Sequence, residues 1–268
     1  MSLVTVNFVS KKLCRNVTFN AIIPLDRFPD ASDDRQAKPL KTLYLLHGMF
    51  GNYTDFLSGT RIQRWAEASN LAVIMPSGDN HFYVDKPDQD ENYSSYVADE
   101  LVTFTRKMFP LSHKKEDTFI GGLSMGGYGA LINGLNYQDT FGYIGAFSPG
   151  LIVNHLDPKS EMSIDIGMSP GFIDNVFGGI DTVKNSDKDY YYLIKELVKA
   201  GKKLPHIYLP IGKADFLLDY VREFKDFMDE NGLDFTYIED EGGHEWDFWD
   251  KYTEKFLEWL PLDKVSSS

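Results

Sequence analysis

The stretch IGGLSMGGYGAL, Ile120–Leu131, places one serine, Ser124, inside a run of glycines. It contains the pattern G-x-S-x-G over residues 122–126, which as a bare string is weak because short glycine motifs arise by chance. Its setting is more specific. An apolar segment typical of a buried strand runs into the serine, and a segment typical of a helix leaves from it. A strand that turns sharply into a helix at a serine is the context in which this pattern presents a nucleophile.

The glycines around Ser124 suit such a turn. A sharp strand-to-helix turn strains the serine backbone and leaves room only for small residues two positions before and after it, where Gly122 and Gly126 stand. The hydroxyl would lie at a helix N-terminus, where free N–H groups and the helix dipole favour developing negative charge. The alternative is a tight turn in which Ser124 merely caps the helix.

The segments on either side alternate between strand and helix patterns, which predicts a mainly parallel sheet with helices on both faces. Apolar runs predict strands over residues 41–48, 71–78, 116–122, 141–150, 204–212 and 233–240. Amphipathic patterns predict helices over residues 61–70, 95–109, 126–137, 220–232 and 245–260. Two β-rich segments, 3–10 and 15–24, predict an antiparallel pair at one sheet edge. Pro210 lies inside a predicted strand and indicates a bulge there or a shorter regular strand.

Residues 1–268 are predicted to form a single α/β domain, because domains of this class often reach this length. Residues from about 151 to 204 break the alternation and read as loops and short helices between two strands. Such an insertion would lie over the carboxyl edge of the sheet, where open α/β folds bind ligands. We therefore interpret it as a small cap.

Composition excludes several classes of function. The net charge of −13, with no run of lysine and arginine, opposes binding to nucleic acid or to anionic membranes. The single cysteine, Cys14, allows no intrachain disulfide and no cysteine metal cluster, and we expect a buried or half-buried thiol. The N-terminus has no signal-peptide pattern and no apolar run approaches about 18 residues, which predicts a soluble cytoplasmic protein.

A serine hydroxyl needs a base in contact with it, and the base needs a group to orient it. Among six histidines, His244 follows a predicted strand and precedes a helix. This position puts it at the carboxyl edge of the sheet, where Ser124 also lies. His47 ends an earlier strand and is expected to shape its loop by hydrogen bonding. The four remaining histidines lie in segments with no paired acid and do not follow a late strand: His81, His113, His155 and His206.

The orienting acid is predicted to be Asp215, in the loop one strand before His244. Asp219 competes, but it falls in the first turn of the following helix, where acids are common as partners of the helix dipole. The resulting chain order is Ser124, Asp215, His244. This is the order of the α/β-hydrolases and differs from that of other serine hydrolase folds.

An oxyanion formed at the serine needs two donors aimed at one point. One is predicted to be the N–H of Met125, directly after the nucleophile. The other is predicted to be the N–H of Met49 in the loop HGMFGN, with Phe50 as the neighbouring alternative. Gly48, Phe50 and Phe216 adjoin these groups in sequence and are predicted to contact the substrate.

Five segments in this order and spacing, LYLLHGMFGN, GGLSMGGYGAL, FSPG, GKADFLLD and GGHEWDFW, resemble the esterase D family of α/β-hydrolases over residues 5–260. The chain is most similar to the bacterial tributyrin esterases, with S-formylglutathione hydrolases, feruloyl esterases and mycolyltransferases as more distant relatives. The resemblance implies a serine carboxylesterase for short acyl chains, including acetyl groups on carbohydrates. It implies the triad Ser124, Asp215 and His244, with oxyanion donors at Met49 and Met125.

The resemblance also implies that the enzyme needs no metal and no organic cofactor. Its partner would be a small-molecule ester, such as an acylated sugar. A homo-oligomer would also agree with the resemblance, because relatives often self-associate. The same triad is also consistent with a second hypothesis, that the protein is an S-formylglutathione-type thioesterase or an acyltransferase. A third reading is a binding or scaffold protein that keeps the fold without catalysis, which a complete triad disfavours.

Overall fold

An eight-stranded sheet, antiparallel at one edge and parallel elsewhere, forms the centre of the fold. The computed structural model describes residues 2–26, 38–157, 168–169 and 171–262. In chain order the strands are β1 Ser2–Ser10, β2 Arg15–Ile23, β3 Lys41–Leu46, β4 Leu71–Pro76, β5 Asp85–Lys86, β6 Glu91–Asn92, β7 Thr118–Leu123, β8 Tyr143–Phe147, β9 His206–Gly212 and β10 Thr236–Asp240. The large sheet has the order β1-β2-β4-β3-β7-β8-β9-β10, and β5 and β6 form a separate ribbon.

Strand pairing confirms the predicted architecture. β1 pairs antiparallel with β2, and β2 pairs antiparallel with β4. All further neighbours in the large sheet are parallel. β4 and β7 are buried along their whole length because helices cover both faces, which explains their unbroken apolar sequences. Parallel pairing brings the carboxyl ends of β3, β7, β9 and β10 to one edge.

The helices divide between the two faces of the sheet. The described α-helices of five or more residues are α1 Asp55–Gly59, α2 Ile62–Ala68, α3 Leu101–Met108, α4 Met125–Asn136, α5 Phe172–Phe177, α6 Tyr190–Lys199, α7 Leu218–Glu230 and α8 Trp246–Trp259. Side chains of β3 alternate between two apolar cores. Tyr44 and Leu46 pack in the core formed with α4, α6 and α7, whereas Leu43 and Leu45 pack in the core formed with α2 and α8.

Pro210 lies inside β9 without disturbing it. The ladder between β8 and β9 ends at the pair Gly145 and Tyr208. Beyond that pair, the Pro210 carbonyl accepts a hydrogen bond from the Ser148 N–H at 2.9 Å. Because the N–H and C=O of one strand residue point to the same side, the missing donor of Pro210 faces a stretch where this ladder has already ended.

Two local predictions need correction. The helix predicted over residues 95–109 is irregular in its first half, where Tyr96–Glu100 forms a π-helical turn before α3 begins. Cys14 is exposed and not buried, because it ends the tight turn between β1 and β2 with a left-handed backbone, φ 49°. Among the described residues, no helix is long and apolar enough to cross a membrane.

The segment between β8 and β9 contains α5, α6 and two short 3-10 turns, Val153–His155 and Ile180–Thr182. Its last helix, α6, packs on α4 and α7 within the core of one sheet face. Its earlier part lies over the carboxyl edge, where Ile152 and Ile173 line a cavity beside Ser124. The predicted cap thus falls partly on described residues, and residues 158–167 and 170 lie outside them.

Candidate active site

Ser124 occupies a strained turn between β7 and α4. Its backbone has φ 54° and ψ −118°, a region that costs a non-glycine residue about 1–3 kcal/mol. The end of β8 holds this conformation from both sides. The Ser124 N–H donates to the Phe147 carbonyl at 2.9 Å, and the Ser124 carbonyl accepts from the Gly150 N–H at 3.0 Å. This backbone conformation places the Ser124 hydroxyl at the carboxyl edge of the sheet, on the residue directly before α4.

The two flanking glycines are required by close backbone contacts. A Cβ atom on Gly122 would lie 2.3 Å from the Gly126 carbonyl oxygen. A Cβ atom on Gly126 would lie 2.2 Å from the carbonyl oxygen of Leu46 in β3. Backbone cannot yield as a flexible side chain can, so both positions exclude any residue larger than glycine without local rearrangement.

His244 lies in the loop between β10 and α8 and contacts Ser124. Its Nε2 is 2.9 Å from Ser124 Oγ, and its Nδ1 is 2.9 Å from Asp215 Oδ2. The imidazole is also held by two aromatic rings, with Phe216 at 4.6 Å and Trp249 edge-on at 4.9 Å between ring centroids. The three polar side chains therefore form one continuous hydrogen-bonded chain.

Asp215, and not Asp219, is the acid at His244. The Asp215 side chain is fully buried, and its second oxygen, Oδ1, accepts the Leu217 N–H at 2.9 Å. The Asp219 side chain is 95% exposed and lies 3.9 Å from Arg222 in the next turn of α7. The loop after β9 thus fixes both oxygens of the Asp215 carboxylate, one on the backbone and one on the imidazole.

His47 is a buried, neutral histidine with both ring nitrogens engaged. Nε2 accepts the Gly78 N–H at 2.8 Å, which requires Nδ1 to carry the proton that it donates to the Gly48 carbonyl at 2.6 Å. Burial lowers the pKa of His47, which keeps the ring in this neutral form. Its role is to tie the loop after β3 to the loop after β4.

Two other histidines have acid partners that their local sequence does not reveal. His81 Nδ1 lies 3.4 Å from Glu91, and His155 Nε2 lies 2.6 Å from Glu223. Neither acid lies in the segment of its histidine, so the local sequence does not indicate these contacts. Neither pair lines the cavity at Ser124.

The backbone N–H groups near Ser124 differ in whether they already donate a hydrogen bond. Met125 is the first residue of α4, so its N–H has no partner within the helix. The Phe50 N–H already donates to Asn80 Oδ1 at 2.8 Å. Among the described residues, the Met49 N–H makes no such bond. This difference favours Met49 over Phe50 as the second donor towards an oxyanion.

A cavity of about 710 Å³ opens beside Ser124 and His244. The predicted substrate contacts Gly48, Phe50 and Phe216 line it, as does the predicted oxyanion donor Met49. Phe50 and Phe216 are 69% and 65% exposed and stand at the cavity mouth. Most other lining side chains are apolar: Phe82, Leu123, Met125, Ile152, Ile173, Leu217, Trp246 and Trp249. Within the described part of the chain, no group of three or more acidic, histidine or cysteine side chains could hold a metal ion.

Sequence reasoning missed the loop after β4, residues 77–83, which we call the β4 loop. It contributes the Gly78 N–H, the Asn80 side chain and the Tyr83 hydroxyl to the loop after β3. A signal was available, since the polar residues Ser77, Asp79 and Asn80 follow a buried parallel strand at the same edge as Ser124.

Together, the parallel sheet with its antiparallel edge, the strained serine and the acid and histidine on later loops define an α/β-hydrolase. The model of the family described as "Putative esterase" matches residues 10–256. The chain belongs to this esterase family, which confirms the resemblance drawn from its motifs, and it is a carboxylic ester hydrolase.

Individual relatives agree with this placement. The chain is 43% identical to an acetyl esterase of Caldicellulosiruptor saccharolyticus, over 99% of this chain and all of that one. It is 28% identical to an S-formylglutathione hydrolase from Staphylococcus aureus whose structure matches with a TM-score of 0.83, over 97% of this chain and 98% of that chain. A ferulic acid esterase matches with a TM-score of 0.72 at 22% identity, over 97% of each chain, and shows the fold alone.

Proposed function

We propose that this protein is a serine esterase that hydrolyses short-chain acyl esters, acetyl esters of carbohydrates among them, through a Ser124–His244–Asp215 triad. The observation that carries the proposal is the chain of two 2.9 Å contacts from Ser124 Oγ through the imidazole to a buried carboxylate. The acetyl esterase with 43% identity supports acetyl as the acyl group.

In the proposed acylation step, His244 Nε2 takes the proton of Ser124 as its oxygen attacks the ester carbonyl. Asp215 accepts the Nδ1–H, which fixes the productive tautomer and stabilises the imidazolium that forms. The N–H groups of Met49 and Met125 bind the oxyanion, and each such donor is typically worth about 3–4 kcal/mol in the transition state. The protonated His244 then gives its proton to the departing alcohol.

Deacylation repeats these steps with water as the nucleophile. His244 removes a proton from the water as it attacks the acyl carbonyl, and the collapse of the second tetrahedral adduct returns the proton to Ser124 Oγ. The same two backbone donors serve both adducts, because the acyl carbonyl keeps its place. The exposed rings of Phe50 and Phe216 flank the exit and are proposed to contact the alcohol portion.

The proposal is tested with a chromogenic acetyl ester and a series of C2 to C8 acyl esters, together with acetylated sugars. Ser124→Ala is expected to lower kcat by at least about 10⁴-fold. A serine-directed phosphonate should label the wild-type chain at Ser124 only. Turnover by Ser124→Ala equal to that of the wild-type protein would refute the triad.

A thioesterase of the S-formylglutathione type is the second candidate. It is favoured by the 28% identical hydrolase of that name, whose chain is matched almost completely. The triad chemistry is the same for an ester and a thioester, so only relative rates separate the two. A kcat/KM for S-formylglutathione well above that for the best acetyl ester would favour the thioesterase.

A further inference from the structure

The β4 loop holds the turn that carries the proposed oxyanion donor Met49. We propose that Asn80 is a positioning residue for catalysis, acting through its hydrogen bond to the Phe50 N–H. The inference rests on the proposed function, since it concerns the donor assigned there. The inference extends the site to the β4 loop, which contains no residue of the proposed triad and neither of the proposed oxyanion donors.

Asn80 stabilises an unfavourable turn. Gly48 and Gly51 close this turn by a hydrogen bond from the Gly51 N–H to the Gly48 carbonyl at 3.3 Å, which leaves Met49 and Phe50 as its central residues. Phe50 has φ 65° at the third position, where glycine or asparagine is usual. The Phe50 N–H belongs to the central peptide of the turn, and Asn80 Oδ1 accepts it at 2.8 Å. This bond favours the left-handed form of the turn over the alternative in which that peptide is flipped.

The orientation of the Met49 N–H follows from the same turn. The Gly48 carbonyl and the Met49 N–H belong to one trans peptide and so point in opposite directions. His47 Nδ1–H and the Gly51 N–H both bond to that carbonyl, at 2.6 and 3.3 Å. The Met49 N–H is therefore directed away from them, on a residue that lines the cavity.

The β4 loop is itself held rigidly enough to position the turn. Its Tyr83 hydroxyl donates to the His47 carbonyl at 3.0 Å, and its Asp79 carboxylate binds Arg15 and the Tyr93 hydroxyl. Asp79, Phe82 and Tyr83 all have left-handed backbones, with φ between 44° and 57°. Strained residues of this kind persist only where their surroundings fix them, and they concentrate at functional sites.

Removal of the Asn80 acceptor should therefore change preorganisation more than folding. The Phe50 side chain is exposed, so water can replace Asn80 as the partner of its N–H. Water exchanges and holds the central peptide less firmly than Asn80, so the turn can adopt its flipped form. The bonds from His47 and Gly51 to the Gly48 carbonyl then remain as the constraint on the Met49 N–H, which is positioned less precisely. The loss should appear in the transition state and not in the binding of substrate.

The test compares Asn80→Ala with Asn80→Asp, which keeps an oxygen at the same position. Asn80→Ala is expected to lower kcat about 10- to 100-fold, less than deletion of a whole donor, with KM within about twofold. It should weaken a trifluoromethyl ketone, which forms an oxyanion adduct with the serine, by the same factor as kcat/KM. Asn80→Asp should recover most of the lost kcat.

Asn70→Ala is the matched control, because Asn70 is also left-handed, φ 51°, but precedes β4 at the opposite edge of the sheet. It should lower thermal stability without changing kcat. If Asn80→Ala does not fold, Asn80→Ser replaces it, since its shorter hydroxyl does not reach the Phe50 N–H. A kcat within twofold of wild type for Asn80→Ala, or an Asn80→Asp variant as slow as Asn80→Ala, would overturn the inference. Ser124→Ala separates the two proposals, because an active Ser124→Ala refutes the triad, whereas an inactive one beside a fully active Asn80→Ala refutes only the role of Asn80.

Discussion

Substitution of Asp215 by asparagine isolates what the buried carboxylate does for His244. The carboxylate has two partners, the Leu217 N–H at Oδ1 and the imidazole Nδ1 at Oδ2, both at 2.9 Å. An asparagine of the same shape must direct its oxygen to one partner and its NH₂ group to the other. If the NH₂ group faced Leu217, two donors would meet in a buried site, at a cost of about 1–3 kcal/mol. The oxygen is therefore expected to stay on Leu217.

The amide NH₂ then faces His244 Nδ1, and it can donate a hydrogen bond to Nδ1 only if Nδ1 carries no proton. The neutral imidazole must carry its proton on Nε2, the atom 2.9 Å from Ser124 Oγ, and it can no longer act as the base. The variant also loses the negative charge that stabilises the imidazolium. We expect kcat to fall about 10⁴-fold, which corresponds to about 5.5 kcal/mol of transition-state stabilisation.

The assay is steady-state hydrolysis of a chromogenic acetyl ester, with thermal unfolding measured on the same preparations. KM and the melting temperature should stay close to wild type, because the cavity and the Leu217 contact are kept. Asp219→Asn is the matched control, since Asp219 is exposed and should be replaceable without loss. The reasoning is refuted if Asp215→Asn keeps more than a tenth of wild-type kcat, or if Asp219→Asn loses as much activity as Asp215→Asn.

Three further predictions concern stability and substrate contact. Gly126→Ala places a Cβ atom 2.2 Å from the Leu46 carbonyl oxygen and should lower the free energy of unfolding by about 3 kcal/mol in urea titration, so an unchanged midpoint would contradict the contact. Phe216→Ala removes a 65% exposed ring and should raise KM several-fold for esters of bulky alcohols, with stability within about 0.5 kcal/mol; equal KM values would contradict contact between Phe216 and the alcohol. Arg222 lowers the pKa of Glu239 to about 2, so their pair stabilises the fold above the ordinary glutamate pKa of 4.5 and loses this effect as the pH falls towards 2. Glu239→Gln should therefore lower stability slightly at pH 7, by about 0.2–1 kcal/mol, and match wild type near pH 2; a constant difference in melting temperature across this range would contradict the assignment.

The sheet and the three polar groups of the site could be predicted because their signals are local. Buried parallel strands appear as continuous apolar runs, and their carboxyl ends meet at one edge by topology alone. Ser124 and Asp215 follow such runs, and His244 follows the half-buried edge strand β10, so their approach in space did not require knowledge of side-chain contacts. The choice of Asp215 over Asp219 also rested on a local distinction between a loop and the first turn of a helix.

The place of the β4 loop at the edge of the site could have been predicted, but its role could not, because that role depends on contacts between segments. The link from Asn80 to Phe50 joins residues 30 positions apart, and the link from Tyr83 to His47 spans 36 positions. Left-handed conformations at Phe82 and Tyr83 leave no mark in the sequence, since aromatic residues are not typical there. The acids beside His81 and His155 were missed for the same reason.

We expect substrate choice to depend on the cavity walls, because the proposed triad and the strained turn treat every acyl carbonyl alike. An acetyl group fills only a small part of the 710 Å³ cavity, so the remaining space is available to a longer acyl chain or to the alcohol. Ile152 and Ile173 bring the segment between β8 and β9 to this space, which Trp246 on α8 also lines. Apart from Gly150, whose N–H bonds to the Ser124 carbonyl, the parts of that segment that line the cavity carry none of the proposed triad or oxyanion residues, so they are expected to vary without loss of chemistry. One fold can in this way serve different substrates through changes in the walls of its site.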